Sequence, residues 1–247
     1  MNPFSWLPND NDMLNVNEIF YSIQGEGFLA GVPSVFIRTA GCPLRCRWCD
    51  TKYAWGIEQG RHVPIEQIVA EVGKFDCRHI VITGGEPMIQ EELADLSRQL
   101  KSAGKHITIE TSGIIYVQSI KCDLMSISPK MSNSTPLTTH NSNQEDARLR
   151  NSHEKLRLNT AVLRKLTAQF SCQLKFVVET EDDIPEIEEQ LKQLPGIDRD
   201  RVLLMPQSRN RRELIDLSSV TADLCIKYGF VFGQRLQLLL WDNTKGR

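Results

Sequence analysis

The sequence predicts an α/β fold in a single domain, an open partial (β/α)6 barrel with mostly parallel strands. Two observations carry this: short β-branched runs alternate with single amphipathic helical stretches, and about six such runs occur, too few to close an eight-stranded barrel. Strands joined through one helix each pair in parallel with right-handed crossovers, which gathers the loops at their carboxyl ends on one face. Ligand chemistry is expected on that face.

Residues 1–13 are polar and rich in Pro, Asn and Asp, with nothing periodic to bury, and are expected to form a disordered tail ahead of a domain over 14–247. The run 33–40 carries Val35, Phe36 and Ile37 and suits a buried strand that delivers a loop. Ile65, Ile68, Val69 and Val72 fit one helical face, and 79–83 is a short apolar strand closed by Gly84 and Gly85. Ile89, Leu93, Leu96 and Leu100 mark the next helix, followed by strands at 106–110 and 123–128 with a turn at 111–113 between them.

The stretch 133–151 is rich in Ser, Thr and Asn and has too few apolar residues to pack, so a polar insertion near 132–151, built as a long surface loop, is expected. Beyond it the alternation resumes. A helix lies near 160–169, a strand at 173–178, a helix carrying Ile184, Ile187, Leu191 and Leu194, a strand at 201–205, a helix over 214–226 and a last strand near 235–241.

The 247 residues are 40% hydrophobic and 24% charged, an ordinary globular balance that excludes disordered and fibrous classes. With 29 basic against 31 acidic residues the net charge is −2, which provides no basic field for a polyanion, so no direct nucleic-acid partner is expected. No run approaches ~18 apolar residues and the N-terminus lacks the layout of a secretory signal. The chain is therefore expected to be cytoplasmic, with no membrane partner.

In a reducing compartment the seven cysteines are metal ligands or core residues sooner than disulfides. Cys77, Cys122, Cys172 and Cys225 are scattered and read as small buried hydrophobes. Cys42, Cys46 and Cys49 sit within one short loop, the soft ligands that zinc and iron–sulfur clusters select. Structural zinc needs a fourth ligand, and the nearest downstream histidine is His62 with no second paired motif. A four-iron cluster on three thiolates instead leaves one iron open for a reactant.

The Cys-x3-Cys-x2-Cys loop after the first predicted strand, with Trp48 ahead of the last cysteine, resembles the radical S-adenosylmethionine (SAM) superfamily. The run Ile82-Thr83-Gly84-Gly85-Glu86-Pro87 adds to it, since that superfamily uses this turn for the amino group of SAM. Taken alone, two glycines and a proline also make a plain strand-to-helix turn. The resemblance implies a 4Fe–4S cluster, SAM and a partial barrel of the radical SAM type.

Closer similarity is to the 7-carboxy-7-deazaguanine synthases. It rests on Asn17-Glu18-Ile19-Phe20 and Gln24-Gly25-Glu26-Gly27, expected to precede the first strand, and on Phe36-Ile37-Arg38, Cys49-Asp50-Thr51, Glu110-Thr111-Ser112-Gly113 and Ser128-Pro129-Lys130. That family converts 6-carboxy-5,6,7,8-tetrahydropterin to 7-carboxy-7-deazaguanine with loss of ammonia, on the route to queuosine and related 7-deazapurines.

The resemblance implies cluster ligation by Cys42, Cys46 and Cys49, and a Mg²⁺ held through the Thr51 hydroxyl. It implies SAM contacts at Trp48, Gly85, Ser112, Ser128, Lys130 and Gln207, and substrate contacts at Ile23, Gln24, Gly25, Glu26, Arg38, Thr83 and Gln237. Arg38 on an apolar strand is costly to bury unless paired, so it fits either a substrate carboxylate or a structural ion pair. Gln237 stands where many members carry a histidine; it can donate and accept but cannot become cationic. The chain end, 241–247, resembles members whose terminal carboxylate closes the pocket. A homodimer and a flavodoxin or ferredoxin as electron donor are also implied. Two rivals remain open on the sequence: a glycyl-radical-enzyme activase and a non-catalytic zinc-binding module.

Overall fold

A computed structural model describes residues 12–137, 144–244 and 246. Its sheet has nine strands in the order β3-β1-β2-β4-β5-β6-β7-β8-β9, with β3 and β9 at its two ends, so it is open as expected. The parallel part begins at β2 (Pro33–Thr39) and continues through β4 (His79–Gly84), β5 (His106–Thr111), β6 (Leu124–Ile127), β7 (Cys172–Val178), β8 (Val202–Pro206) and the two-residue β9 (Val231–Phe232).

Two antiparallel strands were missed by the sequence reading. β1 (Met13–Ile23) pairs with β2, Ile19 opposite Ile37 and Phe20 opposite Phe36, and β3 (Arg61–Pro64) covers its other side. The sequence of β1 does not alternate cleanly, because beyond the buried Leu14 and Val16 its residues are half-buried or exposed. Gln24-Gly25-Glu26-Gly27 therefore follows a strand rather than preceding the first one. Met13 is already paired with Pro64, which shortens the expected tail; residues 1–11 lie outside the described residues.

The helices α1 (Ile65–Val72), α2 (Leu93–Ser102), α4 (Thr160–Gln169), α5 (Ile184–Lys192) and α6 (Arg211–Tyr228) fall where apolar periodicity placed them, except that Ile89 belongs to a separate 3₁₀ turn before α2. They cover one face of the sheet. Ile37, Ile80, Ile82, Ile107, Ile109, Ile127, Leu174 and Phe176 from the strands pack with Leu93, Leu96, Leu100, Leu163 and Ile187 from the helices in one continuous core. Side chains alternate across a strand, so the residues between them face the concave side. There Arg38 lies beside Thr83, and Glu110 beside Ser126, in the strand ladder.

Two segments differ from the sequence expectation. The polar stretch is not loop throughout: α3 (Gln144–Leu156) occupies its second half, while 138–143 lie outside the described residues. This helix has no apolar stripe, which is why periodicity could not find it. Polar ties fasten it instead. Arg150 Nη1 donates to Pro136 O at 2.7 Å, Arg157 Nη1 to Lys130 O at 3.0 Å, and the fully buried His153 lies between Arg45 N at 3.1 Å and Ser134 Oγ at 3.0 Å.

The expected last strand, 235–241, is the helix α7 (Leu236–Trp241). Leu236 N donates to Gly25 O at 2.8 Å and Arg235 pairs with Glu26 and Asp50, which draws the chain off the sheet edge. Leucines then accept the helix readily.

Burial holds His153 neutral and lowers its pKa from 6.5 to about 4, outweighing Glu154, which favours the charged ring, with Arg157 and Lys130 acting with burial. Between those values the unfolded chain binds a proton that the folded chain does not. Stability should therefore be complete above about pH 6.5 and fall with acidification towards pH 4, by about 3 kcal/mol from this group. Urea unfolding of the wild type and His153→Asn at pH 7 and pH 5 checks it: the variant should lose less stability on acidification, and equal losses would show that His153 titrates freely.

Candidate active site

At the carboxyl ends of the strands lies a cavity of about 410 Å³, in the range of small-molecule sites. Every site residue expected from the sequence lines it. The turn after β1 brings Ile23, Gln24, Gly25 and Glu26, β2 brings Arg38, and the following loop brings Cys42, Cys46, Trp48, Cys49 and Thr51. Thr83 and Gly85 come from the end of β4, Ser112 from beyond β5, Ser128 and Lys130 from beyond β6, Gln207 from beyond β8, and Gln237 from α7. Asn243, Thr244 and Gly246 also line it, so the chain end reaches the cavity; Arg247 lies outside the described residues.

The cysteine loop is short and has no regular secondary structure, so backbone bonds and a small apolar cluster of its own residues shape it. Gly41 N and Cys42 N donate to Ala54 O and Trp55 O, Arg47 N donates to Ser134 O, and Leu44, Cys46 and Ile114 form a small buried cluster under the loop. The Arg45 guanidinium folds back onto Cys42 O at 2.6 Å and Leu44 O at 2.7 Å. Burial pushes the Cys42 thiol up to about 12 and the Cys46 thiol up to about 11, so a bare thiolate is costly at either position and a cationic iron centre would relieve that cost.

Among the described residues, no three Cys, His, Asp or Glu side chains are grouped so as to hold one metal ion. A zinc tetrahedron is thus not preformed, whereas a four-iron cluster gives each sulfur its own corner and needs no convergence on a single ion. Trp48 Nε1 is buried without a partner, and Lys130 Nζ lies 5.3 Å from the centre of the Trp48 ring while donating to Ser128 Oγ at 2.7 Å. Soft thiols, an unpaired indole N–H and a lysine in one cavity fit a cluster with a charged co-reactant.

Gly84 and Gly85 have a further reason to be glycine. A Cβ on Gly84 would lie 2.3 Å from Thr39 O, and one on Gly85 would lie 2.2 Å from Gly41 O. The turn is therefore pressed against the chain's own backbone, whatever ligand it also meets. Glu86, next in the run, is buried; its carboxylate accepts from Thr111 Oγ1 at 2.7 Å and Ser112 N at 2.8 Å, and from Ser112 Oγ, locking the β4 and β5 ends together.

The same cavity is also lined by a chain of charges. Lys175 Nζ stands 2.9 Å from Glu26 Oε2 and 3.5 Å from Glu110 Oε1, and Arg235 Nε stands 3.2 Å from Glu26 Oε1. Gln237 Nε2 donates to Glu26 Oε1 at 2.9 Å, Thr83 Oγ1 to Glu110 Oε2 at 2.8 Å, and Gln24 Nε2 to Glu110 Oε1 at 3.2 Å. Burial alone would raise the Glu26 pKa, but Lys175 and Arg235, with the Lys175 and Gln237 hydrogen bonds, hold it far below the usual carboxylate range. Burial likewise works against the Lys175 charge and is outweighed by Glu26 and Glu110, which raise its pKa.

Arg38 forms the structural ion pair, its Nε lying 2.7 Å from Glu18 Oε1, and the residue also lines the cavity. Sequence reasoning missed Glu110, Lys175 and Arg235 as site residues. The argument applied to Arg38 would have found two of them, since Lys175 and Glu110 are also charges inside apolar strands.

A cysteine loop of this spacing after the first parallel strand, opening into the mouth of an open parallel sheet, defines a radical SAM protein; the Radical SAM superfamily pattern matches residues 36–143. The chain is 37% identical over 241 residues to the 7-carboxy-7-deazaguanine synthase of Halobacterium salinarum, covering 95% of this chain and 93% of that one. It is 40% identical over 234 residues to that of Rhodopirellula baltica, covering 94% and 88%. The crystal structure of QueE from Escherichia coli matches with a TM-score of 0.66 and 26% identity, over 90% of this chain and 93% of that chain. The chain belongs to the 7-carboxy-7-deazaguanine synthase family and is a radical SAM enzyme.

Lys175→Met removes the cation between two carboxylates and should destabilise the fold by about 3 kcal/mol, the cost of breaking a buried pair. Urea unfolding of Lys175→Met, Glu26→Gln and the double variant checks the coupling. The double variant should lose less than the two singles added together; additivity within about 0.5 kcal/mol would mean that the pair does not interact.

Proposed function

We propose that this chain converts 6-carboxy-5,6,7,8-tetrahydropterin to 7-carboxy-7-deazaguanine, releasing ammonia, within 7-deazapurine biosynthesis. The observation that carries this reading is that a single cavity is lined both by three thiols on one loop and by the ionised Glu26 with Lys175, Glu110 and Arg38. When bound at Cys42, Cys46 and Cys49, the 4Fe–4S cluster with SAM supplies the carbon-centred radical that removes hydrogen from the substrate.

The chain's own residues bind, orient and exclude water. Trp48, Gly85, Ser112, Ser128, Lys130 and Gln207 hold SAM beside the cysteine loop. Glu26, kept ionised by Lys175 and Arg235, only accepts hydrogen bonds, which matches the N–H and amino edge of a pterin. Ile23, Gln24, Gly25 and Thr83 border the same edge, and Gln237, anchored by its donation to Glu26 with its Oε1 buried against Gly25, holds that edge in place. Arg38, fixed through Nε by Glu18, keeps its Nη groups for the substrate carboxylate. Thr51, on the cavity wall beside Cys49, would give its hydroxyl oxygen to Mg²⁺, since magnesium commonly takes few protein ligands. A homodimer, a flavodoxin or ferredoxin as electron source, and a cytoplasmic location complete the proposal.

Anaerobically reconstituted protein, given reductant, SAM, Mg²⁺ and the carboxypterin, should form the deazaguanine and ammonia. Cys46→Ala should lose both the iron–sulfur absorbance and turnover, and an iron-replete wild type that makes no deazaguanine would sink the assignment. Thr51→Ala should raise the Mg²⁺ concentration needed for half-maximal turnover several-fold while leaving the cluster spectrum unchanged; an unaltered Mg²⁺ dependence would remove Thr51 from that role.

A further inference from the structure

We propose that His153 is a positioning residue for the cluster loop: through the Arg45 peptide, it holds Cys42 and Cys46 in the shape that grips iron. The inference rests on the reading that Cys42, Cys46 and Cys49 carry the cluster.

The Arg45 amide can only donate, and it meets His153 Nδ1 at 3.1 Å. Nδ1 is therefore the bare nitrogen, and the ring proton sits on Nε2, 3.0 Å from Ser134 Oγ. The Ser134 hydroxyl in turn donates to Met131 O at 2.6 Å. Each group in this chain has its donor and acceptor roles set by the first, so the imidazole ring is fixed in both tautomer and orientation.

The same turn grips the loop a second time. Arg47 N donates to Ser134 O at 2.9 Å and Arg47 Nε to Asn133 O at 2.6 Å. The loop is thus tied at residues 45 and 47, one on either side of Cys46, by a segment more than 80 residues further along the chain. His153 is the one buried residue of α3, whose Leu149 and Leu156 are exposed. A helix that buries an imidazole and leaves its leucines in solvent is held by a polar bond, and the polar bond ends on the cluster loop.

A carboxamide tests the bond atom by atom. Asparagine reaches the level of Nδ1 and can still accept from Arg45 N, whereas glutamine reaches the level of Nε2, keeps the Ser134 contact and leaves the Arg45 amide bare. In the cluster-free protein, exchange of the Arg45 amide hydrogen, followed by NMR, should be about tenfold faster in His153→Gln than in the wild type and close to wild type in His153→Asn. In the loaded protein, His153→Gln should release iron to a chelator several-fold faster and change the EPR spectrum of the reduced cluster, while His153→Asn preserves both. Arg150→Ala, which loosens α3 elsewhere, should leave Arg45 exchange unchanged.

Equal Arg45 exchange and iron release in the wild type and His153→Gln overturn the proposal, as does an equal loss in Arg150→Ala, which would make His153 a general prop for the helix. The exchange measurement needs neither cluster nor substrate. Intact iron retention without carboxypterin turnover would refute the assigned reaction and not the clamp, and a wild type that takes up no iron would refute the cluster reading on which the clamp rests.

Discussion

The Glu26 carboxylate, lying between the Lys175 ammonium and the Arg235 guanidinium, is the interaction around which the cavity is arranged. A sheet whose concave side carries charge is stable only if each buried charge finds a partner, because an unpaired ion there would cost several kcal/mol. Glu26 follows β1, Lys175 lies on β7 and Arg235 precedes α7, so one neutralisation joins the beginning, the middle and the end of the chain. Glu110 and Thr83 extend it across β5 and β4. The result is a polar floor in the same cavity as the thiols, with Glu26 ionised and Lys175 charged before any ligand enters.

The cysteine side is built by a different means. Its loop carries no charge chain of this kind; a small apolar cluster and the backbone, closing on itself and on neighbouring turns, hold it. Gly84 and Gly85 let the β4 end press against Thr39 and Gly41, Glu86 ties that end to Ser112, and His153 and Ser134 hold residues 45 and 47. Buried thiols with raised pKa values are poor thiolates until a metal compensates them, which makes the loop a receptor for a cationic centre rather than a free nucleophile. The two sides meet at Asp50, whose carboxylate receives Arg235 Nη2 at 2.7 Å next to Thr51.

Much of this was legible along the chain. The parallel strands and the helices packed on them announce themselves by period, because each buries one face against the other and the pattern repeats locally. The expected site residues all reach one cavity, since the loops at the carboxyl ends of parallel strands share a face. The elements that escaped notice lacked a local signal. β1 is largely half-buried, so its residues do not alternate; α3 has no apolar stripe; α7 reads as a strand until Arg235 and Leu236 are tied to Glu26, Asp50 and Gly25.

By itself the sequence determined the class of the sheet, the face that carries chemistry and the three thiols on one loop, because spacing and periodicity act between residues close together in the chain. Only the tertiary structure decided that Arg38 pairs with Glu18, that Lys175 sits between Glu26 and Glu110, and that His153 reaches back to Arg45. Those partners are 20, 149, 65 and 108 residues apart, too far for any local pattern to encode, and they meet because buried polar groups must find one another once the apolar face has closed.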